Sequence, residues 1–497
     1  MDKVSSEKHK KYEDFYNELN RNSVKDTEYW GLGIENESYL MFNQLICVPK
    51  CEYLMNQKPE RYSVNYWNNF LQTQLFHTLK DLPNIIETPV YINGYMFQNS
   101  DISGNHKTVY KTPTYPNPDF SGKTIDAYLK EQSPVINDLF KNNVIYDGDT
   151  IEFTTYNFYK TNVGSVIQEL IDVKQTFLKE VNTHLQGKGV FGSHIIYPPF
   201  NYGFAKHLSN PDNIAMCNNG TYHINITLPT PLDSDGNIAD LKAFRDSHAN
   251  AIRGIQWVEP LLVALYGSPD ILNTINAQYS GGSLRLSLSR YIGLGTYDTN
   301  TMEKGKLLDT HNSKKHTGYF NELHHNSPYV PPEKNGYDFN YNKFTKHGIE
   351  LRILDSFPEE YLEAVMNFLV LICDYSTKHF IPDPTEQPEW NKVVVECLRE
   401  GSRAMIGPEF FLRLYEVFGI DTCWVWLSVF CSKNGNRSPM TLMNHVSAQL
   451  YAYNRRGDVA MKLSPNMRPI RFVDYNSYIK SEFKKITFVP VTTPHLV

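Results

Sequence analysis

Long hydrophobic runs are missing from this chain, as are dense cysteine, blocks of basic residues and internal repeats. The longest apolar stretch, YLEAVMNFLVLICDY at 361–375, is shorter than the roughly 18 apolar residues of a membrane span and keeps helical periodicity. The opening MDKVSSEKHKKYEDFYNELNR is charged and lacks the apolar core of a signal peptide, so a cytoplasmic location with no membrane partner is expected. Seven scattered cysteines, an odd number, suit a reduced compartment rather than a disulfide framework. Cys47 and Cys51 stand in C-x3-C spacing with no second pair and no nearby histidine, so they read as ordinary thiols rather than a zinc site. A net charge of -6 without a long basic block argues against nucleic acid as a partner. Gly-Lys-Thr occurs at 122–124 but with Asn117 where a G-x4-G-K-[ST] phosphate-binding loop has its first glycine, so that loop is missing and any nucleotide is held in some other way.

What is present is an ordinary globular composition, 41% hydrophobic and 21% charged, over 497 residues. That length exceeds what a single core sustains, which suggests a large catalytic domain with an appendage or two domains. Along the chain, short strands with one polar face alternate with long amphipathic helices. The run WGLGIENESYLMF at 30–42 reads as a strand that puts Glu35 and Glu37 on one face, with Ile34 and Leu40 on the other. Taken alone, such a pair is the solvated face of an exposed strand; alternatively it is a site for a hard divalent cation, which takes oxygen ligands.

Three further units share that pattern. After a Pro- and Tyr-rich stretch at 111–122 that reads as a surface loop, DGDTIEFTTYNFYKTN gives a turn at Asp147 and Gly148. A strand with Glu152 and Thr154 on one face follows. The next helix places Val163, Val166, Ile167, Leu170, Val173 and Phe177 at helical spacing. In TYHINITL, His223, Asn225 and Thr227 oppose Tyr222, Ile224, Ile226 and Leu228, and the following helix is read to carry Ile238, Leu241 and Phe244 and to stop near Gly267. In SLRLSLSR, Arg285 shares a polar face with Ser287 and Ser289, while Arg290 falls off parity. The turn-rich stretch 291–347 reads as a long loop or insertion. Then IELRIL sets Glu350 and Arg352 against Ile349, Leu351 and Ile353, ahead of an apolar helix. Beyond 381 a Pro-rich break leads to a mainly helical remainder in which CWVWLSVF reads as core.

If these polar faces meet, four carboxylates and an imidazole converge, an arrangement that repels itself unless cations occupy it. Two or three Mg2+ or Mn2+ ions are then implied. Neighbouring arginines suit nucleotide phosphates and the charge that develops in phosphoryl transfer.

At this level of detail the chain resembles the glutamine synthetase and glutamate-cysteine ligase superfamily of carboxylate-amine ligases, most closely its glutamate-cysteine ligase branch. GIENESYL is similar to the first metal strand, IEFTT to the next, and GTYHINITLPTPLD with PLLVALYGSP to the histidine strand and its helix end. SLRLSLSR and IELRILDSFPEEYLEAV match the paired arginines and the Glu-x-Arg strand, in collinear order over roughly 28–380. The resemblance implies an α+β fold whose curved antiparallel sheet forms an open funnel flanked by helices. It implies a catalytic domain at 29–380 (with 291–347 inserted), a helical lead-in at 1–28 and a helical extension at 381–497. It also implies metal ligands Glu35, Glu37, Glu152, His223 and Glu350, catalytic Arg285 and Arg352, and nucleotide or substrate contacts from Asn225, Arg285, Arg290 and Arg352. The implied activity is ATP-dependent joining of a small carboxylate, glutamate being favoured, to an amine through an acyl phosphate. An amide hydrolase on the same scaffold and an inactive nucleotide-binding or structural protein are the alternatives. Asn225 replaces the second histidine of the family strand, and the 291–347 segment is longer than the family norm; oligomeric state is left open.

Overall fold

The computed structural model describes residues 28–49, 85–109, 112–118, 120–147, 150–156, 160, 162–198, 221–231, 233, 238–267, 296–301, 303–306, 339–341, 348–422, 435–455, 470 and 472. The first strands are β1 (Glu28–Ser38), β2 (Leu40–Pro49) and β3 (Ile85–Ile92), then β4 (Thr108–Val109) and β5 (Thr112–Pro116). They are followed by β6 (Val144–Asp147), β7 (Thr150–Thr154), β8 (Ile195–Ile196) and β9 (Thr221–Pro231). The last are β10 (Thr296–Asp298), β11 (Glu303–Lys306), β12 (Phe339–Tyr341) and β13 (Ile349–Leu354). Six of them form one open antiparallel sheet in the order β12-β13-β9-β1-β7-β6. With its helices this is an α+β architecture.

Helices α1 (Gly94–Asn99), α2 (Ile125–Gln132) and α3 (Pro134–Asn142) precede the long α4 (Val163–Leu185) and α5 (Leu241–Tyr266). They are followed by α6 (Leu362–Lys378), α7 (Pro388–Glu400), α8 (Pro408–Val417) and α9 (Pro439–Arg455). Asn162 caps α4 by accepting from the Ser165 amide, and Asp240 caps α5 by accepting from Ala243. Val163, Val166, Leu170, Val173, Phe177 and Val181 recur every three or four positions, so α4 buries one stripe against β1 and β7. Phe177 meets Phe153 of β7 edge to face, ring centres 5.3 Å apart. Each such fully buried ring contributes about 1.5–3 kcal/mol.

The apolar side of the sheet is Ile34, Ile151, Phe153, Ile224, Ile226 and Leu351, all buried beneath α4 and α5. Helix α6 is buried on nearly every side because α4, α5 and α9 surround it, which accounts for its mostly apolar sequence. Helices α7 to α9 join the same core through Trp390, Phe410 and Leu442, and the Trp390 indole donates to the Gln256 carbonyl of α5 at 2.8 Å.

Several sequence expectations change. The strand at 30–42 is two strands: the chain breaks at Tyr39, and β2 leaves the main sheet to pair with β3 and β8. Residues 111–122 are not wholly loop, since β5 pairs with β4. Ile238 lies ahead of the helix, because Asp240 is the cap, and Leu241 is exposed while Phe244 is buried. Within 291–347, β10 and β11 pair, and β12 adds an edge strand to the main sheet beside β13. Residues 1–27, the Arg285 and Arg290 segment, Cys51 and CWVWLSVF lie outside the described residues.

Candidate functional site

The sheet order makes β1 the meeting point of the polar faces. Glu35 lies opposite His223 on β9 and Thr154 on β7, and Glu37 opposite Thr221 and Glu152. Asn225 lies opposite Gly33 and, on its other side, Glu350 of β13. Directly opposed residues share a sheet face and stand about 4.5–5.5 Å apart at Cβ. Glu35, Glu37, Glu152, His223 and Glu350 therefore converge on the face away from the apolar core, and each is buried, none more than 7% exposed. Like charges facing one another, as Glu37 and Glu152 do, are destabilising without compensation.

The imidazole sits at the centre. His223 Nδ1 lies 3.0 Å from Glu35 Oε2 and 3.8 Å from Glu350 Oε1, while Nε2 lies 3.6 Å from Glu37 Oε1. Arg352 arrives through a bulge: Leu351 pairs with Ile224 but Leu354 with Tyr222, so β13 carries one residue more than β9 over this step. Its guanidinium donates to Glu350 Oε1 at 2.9 Å and stands 3.9 Å from Glu37 Oε1. Burial alone would lower the Arg352 pKa; attraction to Glu350, Glu37 and Glu35 and the hydrogen bond to Glu350 reverse that and raise it above its ordinary value.

Two donor sets result, each with ligating atoms within 4.8 Å of one another: Glu35, His223 and Glu350, all buried, and Glu37, Asp147 and Glu152, of which Asp147 is exposed. Asp147 was read from the sequence only as a turn residue. It belongs here because β6 and β7 form a tight hairpin in which Asp147 pairs with Thr150 and Ile145 with Glu152, so Asp147 shares the Glu152 face. The DGD run directly before the strand was the signal that could have identified it. Asn225 is half-buried beside Glu350, and its Nδ2 has no hydrogen-bond partner among the described residues.

No family model matches the chain. It is 36% identical over 479 residues to the uncharacterized protein R704 of Acanthamoeba polyphaga mimivirus, an alignment that covers 94% of this chain and 82% of that protein. The chain belongs to the family of R704.

The donor chemistry fits divalent cations. Oxygen ligands of Mg2+ lie about 2.1 Å from the ion and those of larger ions about 2.3–2.6 Å, so two ligands of one ion are about 3–5 Å apart, a range compatible with ligating atoms that all lie within 4.8 Å of one another in each set. The all-oxygen set, Glu37, Asp147 and Glu152, suits Mg2+ or Mn2+; the mixed set with His223 suits Mn2+ better, because imidazole is a softer ligand. Among the described residues no helix is long and apolar enough to cross a membrane.

Proposed function

We propose that this chain is an ATP- and Mg2+- or Mn2+-dependent carboxylate-amine ligase, glutamate-cysteine ligase-like, acting in the cytoplasm on small-molecule substrates with glutamate as the acid. The observation that carries the reading is the burial of Glu35, Glu37, Glu152, His223 and Glu350 on one face of a single sheet, with Arg352 among them. A solvated strand face would leave those carboxylates exposed. The open six-stranded sheet would serve as one wall of the funnel that the family resemblance implies.

In this reading Glu35, His223 and Glu350 hold one ion and Glu37, Asp147 and Glu152 another. Ions held by those residues would supply charge neutralisation of the β- and γ-phosphates and Lewis-acid polarisation of the transferred group. The carboxylate of the acid attacks the γ-phosphorus, the bond to the ADP oxygen breaks, and an acyl phosphate forms. The amine then attacks the acyl carbon, inorganic phosphate leaves, and the amine loses a proton. Arg352 supplies a permanent positive charge at the edge of the carboxylates, where it can meet oxygens that gain negative charge during transfer. The burial of the cluster excludes bulk water, which would otherwise intercept the acyl phosphate.

The deciding experiment is a screen of amino acids and amines for ADP release with ATP and Mg2+, followed by mass spectrometry of the product. Equimolar ADP and amide support ligation. Calorimetry that shows no Mg2+-dependent ATP binding rejects it, and amide cleavage without ATP reassigns the scaffold to hydrolysis.

A further inference from the structure

Arg352 stands in the position where a metal ion's charge would act. Its guanidinium reaches Glu350 Oε1 at 2.9 Å and Glu37 Oε1 at 3.9 Å, and those two carboxylates belong to different donor sets. Glu350 Oε1 is also the oxygen that faces His223 Nδ1 at 3.8 Å, so one atom is turned toward both the arginine and the inner set. Arg352 is more open than the two carboxylates it reaches: its side chain is 12% exposed, against 1% for Glu350 and 2% for Glu37. The register shift in β13 falls between Leu351 and Leu354, at the arginine.

We infer that Arg352 is a resident counter-cation, which neutralises Glu350 and Glu37 while the carboxylates hold no ion and gives up those oxygens when divalent cations bind. The inference rests on the metal-centre reading above and adds a role for one residue within it. Its physical basis is direct. An ion about 2.1 Å from Glu350 Oε1 lies within about 5 Å of the guanidinium, and two positive charges that close repel strongly at the low effective dielectric of a buried site. Arg352 therefore competes with the ion for the same carboxylates. Once displaced outward, its five N–H donors face the open side, from which an anionic substrate approaches. The opposite role is a positioning one, in which the hydrogen bond from Arg352 holds Glu350 in its ligating orientation; the two roles differ in the sign of what removing the charge does to metal affinity.

The test uses Mn2+ alone as the probe, without ATP, on the full-length chain. Mn2+ binding is measured by calorimetry and by the paramagnetic resonance signal of free Mn2+, for the wild type, two neutral variants, Arg352→Gln and Arg352→Met, and Arg352→Lys. A competing arginine predicts that both neutral variants bind Mn2+ roughly ten- to a hundredfold more tightly than wild type, with Arg352→Lys close to wild type. It also predicts that the metal-free neutral variants melt below wild type and gain more in melting temperature on adding Mn2+. A neutral variant that folds only with Mn2+ present gives that same supporting result. Mn2+ affinity equal to or weaker than wild type in the neutral variants overturns the inference while leaving the metal centre standing. Absence of Mn2+ binding in wild type and neutral variants alike overturns the metal-centre reading and the inference with it.

Discussion

Acidification loosens the joint between α5 and the strand that carries His223, because that joint is a buried neutral histidine. His248 of α5 is fully buried; its Nε2 accepts the Leu228 amide of β9 at 3.1 Å, and its Nδ1 donates to the Phe244 carbonyl at 2.7 Å. Both ring nitrogens are thus committed in the neutral form, and a proton on Nε2 would confront an N–H donor. Burial lowers the pKa from 6.5 to about 4, only partly opposed by the bond to Phe244. The folded pKa lies below the unfolded one, so the unfolded chain takes up the proton first. The contribution of neutral His248 is complete above about pH 6.5, falls as pH drops toward 4, and is gone below that. The span corresponds to about 3 kcal/mol at roughly 1.4 kcal/mol per pH unit. His248→Gln removes the titration and, at pH 8, costs about 1–3 kcal/mol through the disturbed hydrogen bonds. Urea unfolding followed by tryptophan fluorescence at half-unit pH steps should therefore show wild type and variant converging between pH 7.5 and 4. A stability gap that stays constant over that window refutes the neutral clasp.

Other substitutions test the site and its frame. Glu35→Ala and Glu350→Ala are each expected to abolish ATP-dependent turnover and weaken Mn2+ binding at least tenfold, with the far-ultraviolet circular dichroism of wild type retained; a wild-type rate in either would refute their assignment as ligands. Asp147→Asn, at an exposed rim position, should leave the melting temperature within a degree or two of wild type in the absence of metal and yet weaken Mg2+ binding; unchanged Mg2+ binding would remove Asp147 from the set. Saturating Mg2+ or Mn2+, at about 100 times the dissociation constant, should stabilise the wild type by about 2.7 kcal/mol for each site filled, and chelation should reverse it. Gly348→Ala is expected to cost about 2–4 kcal/mol, because Gly348 has φ +98° and an added Cβ would lie 2.5 Å from the Ile226 carbonyl oxygen; thermal unfolding measures it.

Alternation made much of the site legible. Period-two patterning assigned Glu35 and Glu37 to one face of β1, His223 and Asn225 to one face of β9, and Glu350 to the polar face of β13, because side-chain direction in a strand follows from local geometry alone. Helical spacing did the same for α4, whose cap at Asn162 and stripe from Val163 to Phe177 coincide with the structure. Local patterning is blind to a chain that leaves one sheet for another, and so the break at Tyr39 was invisible. It was equally blind to the β12 strand inside a turn-rich stretch, whose strand partner among the described residues is β13.

Sequence by itself determined which residues carry charge on which side of each strand, and that the chain alternates strands with amphipathic helices. Tertiary structure alone decided that β1 lies between β9 and β7, and it is this order that turns separate polar faces into one buried cluster. It also decided that Asp147 joins Glu37 and Glu152, and that Arg352 bridges Glu350 and Glu37 through a bulge. The physical reason is range: pleat and helix periodicity act over a few residues, whereas strand order and register depend on contacts between segments nearly two hundred residues apart, such as Glu35 with His223.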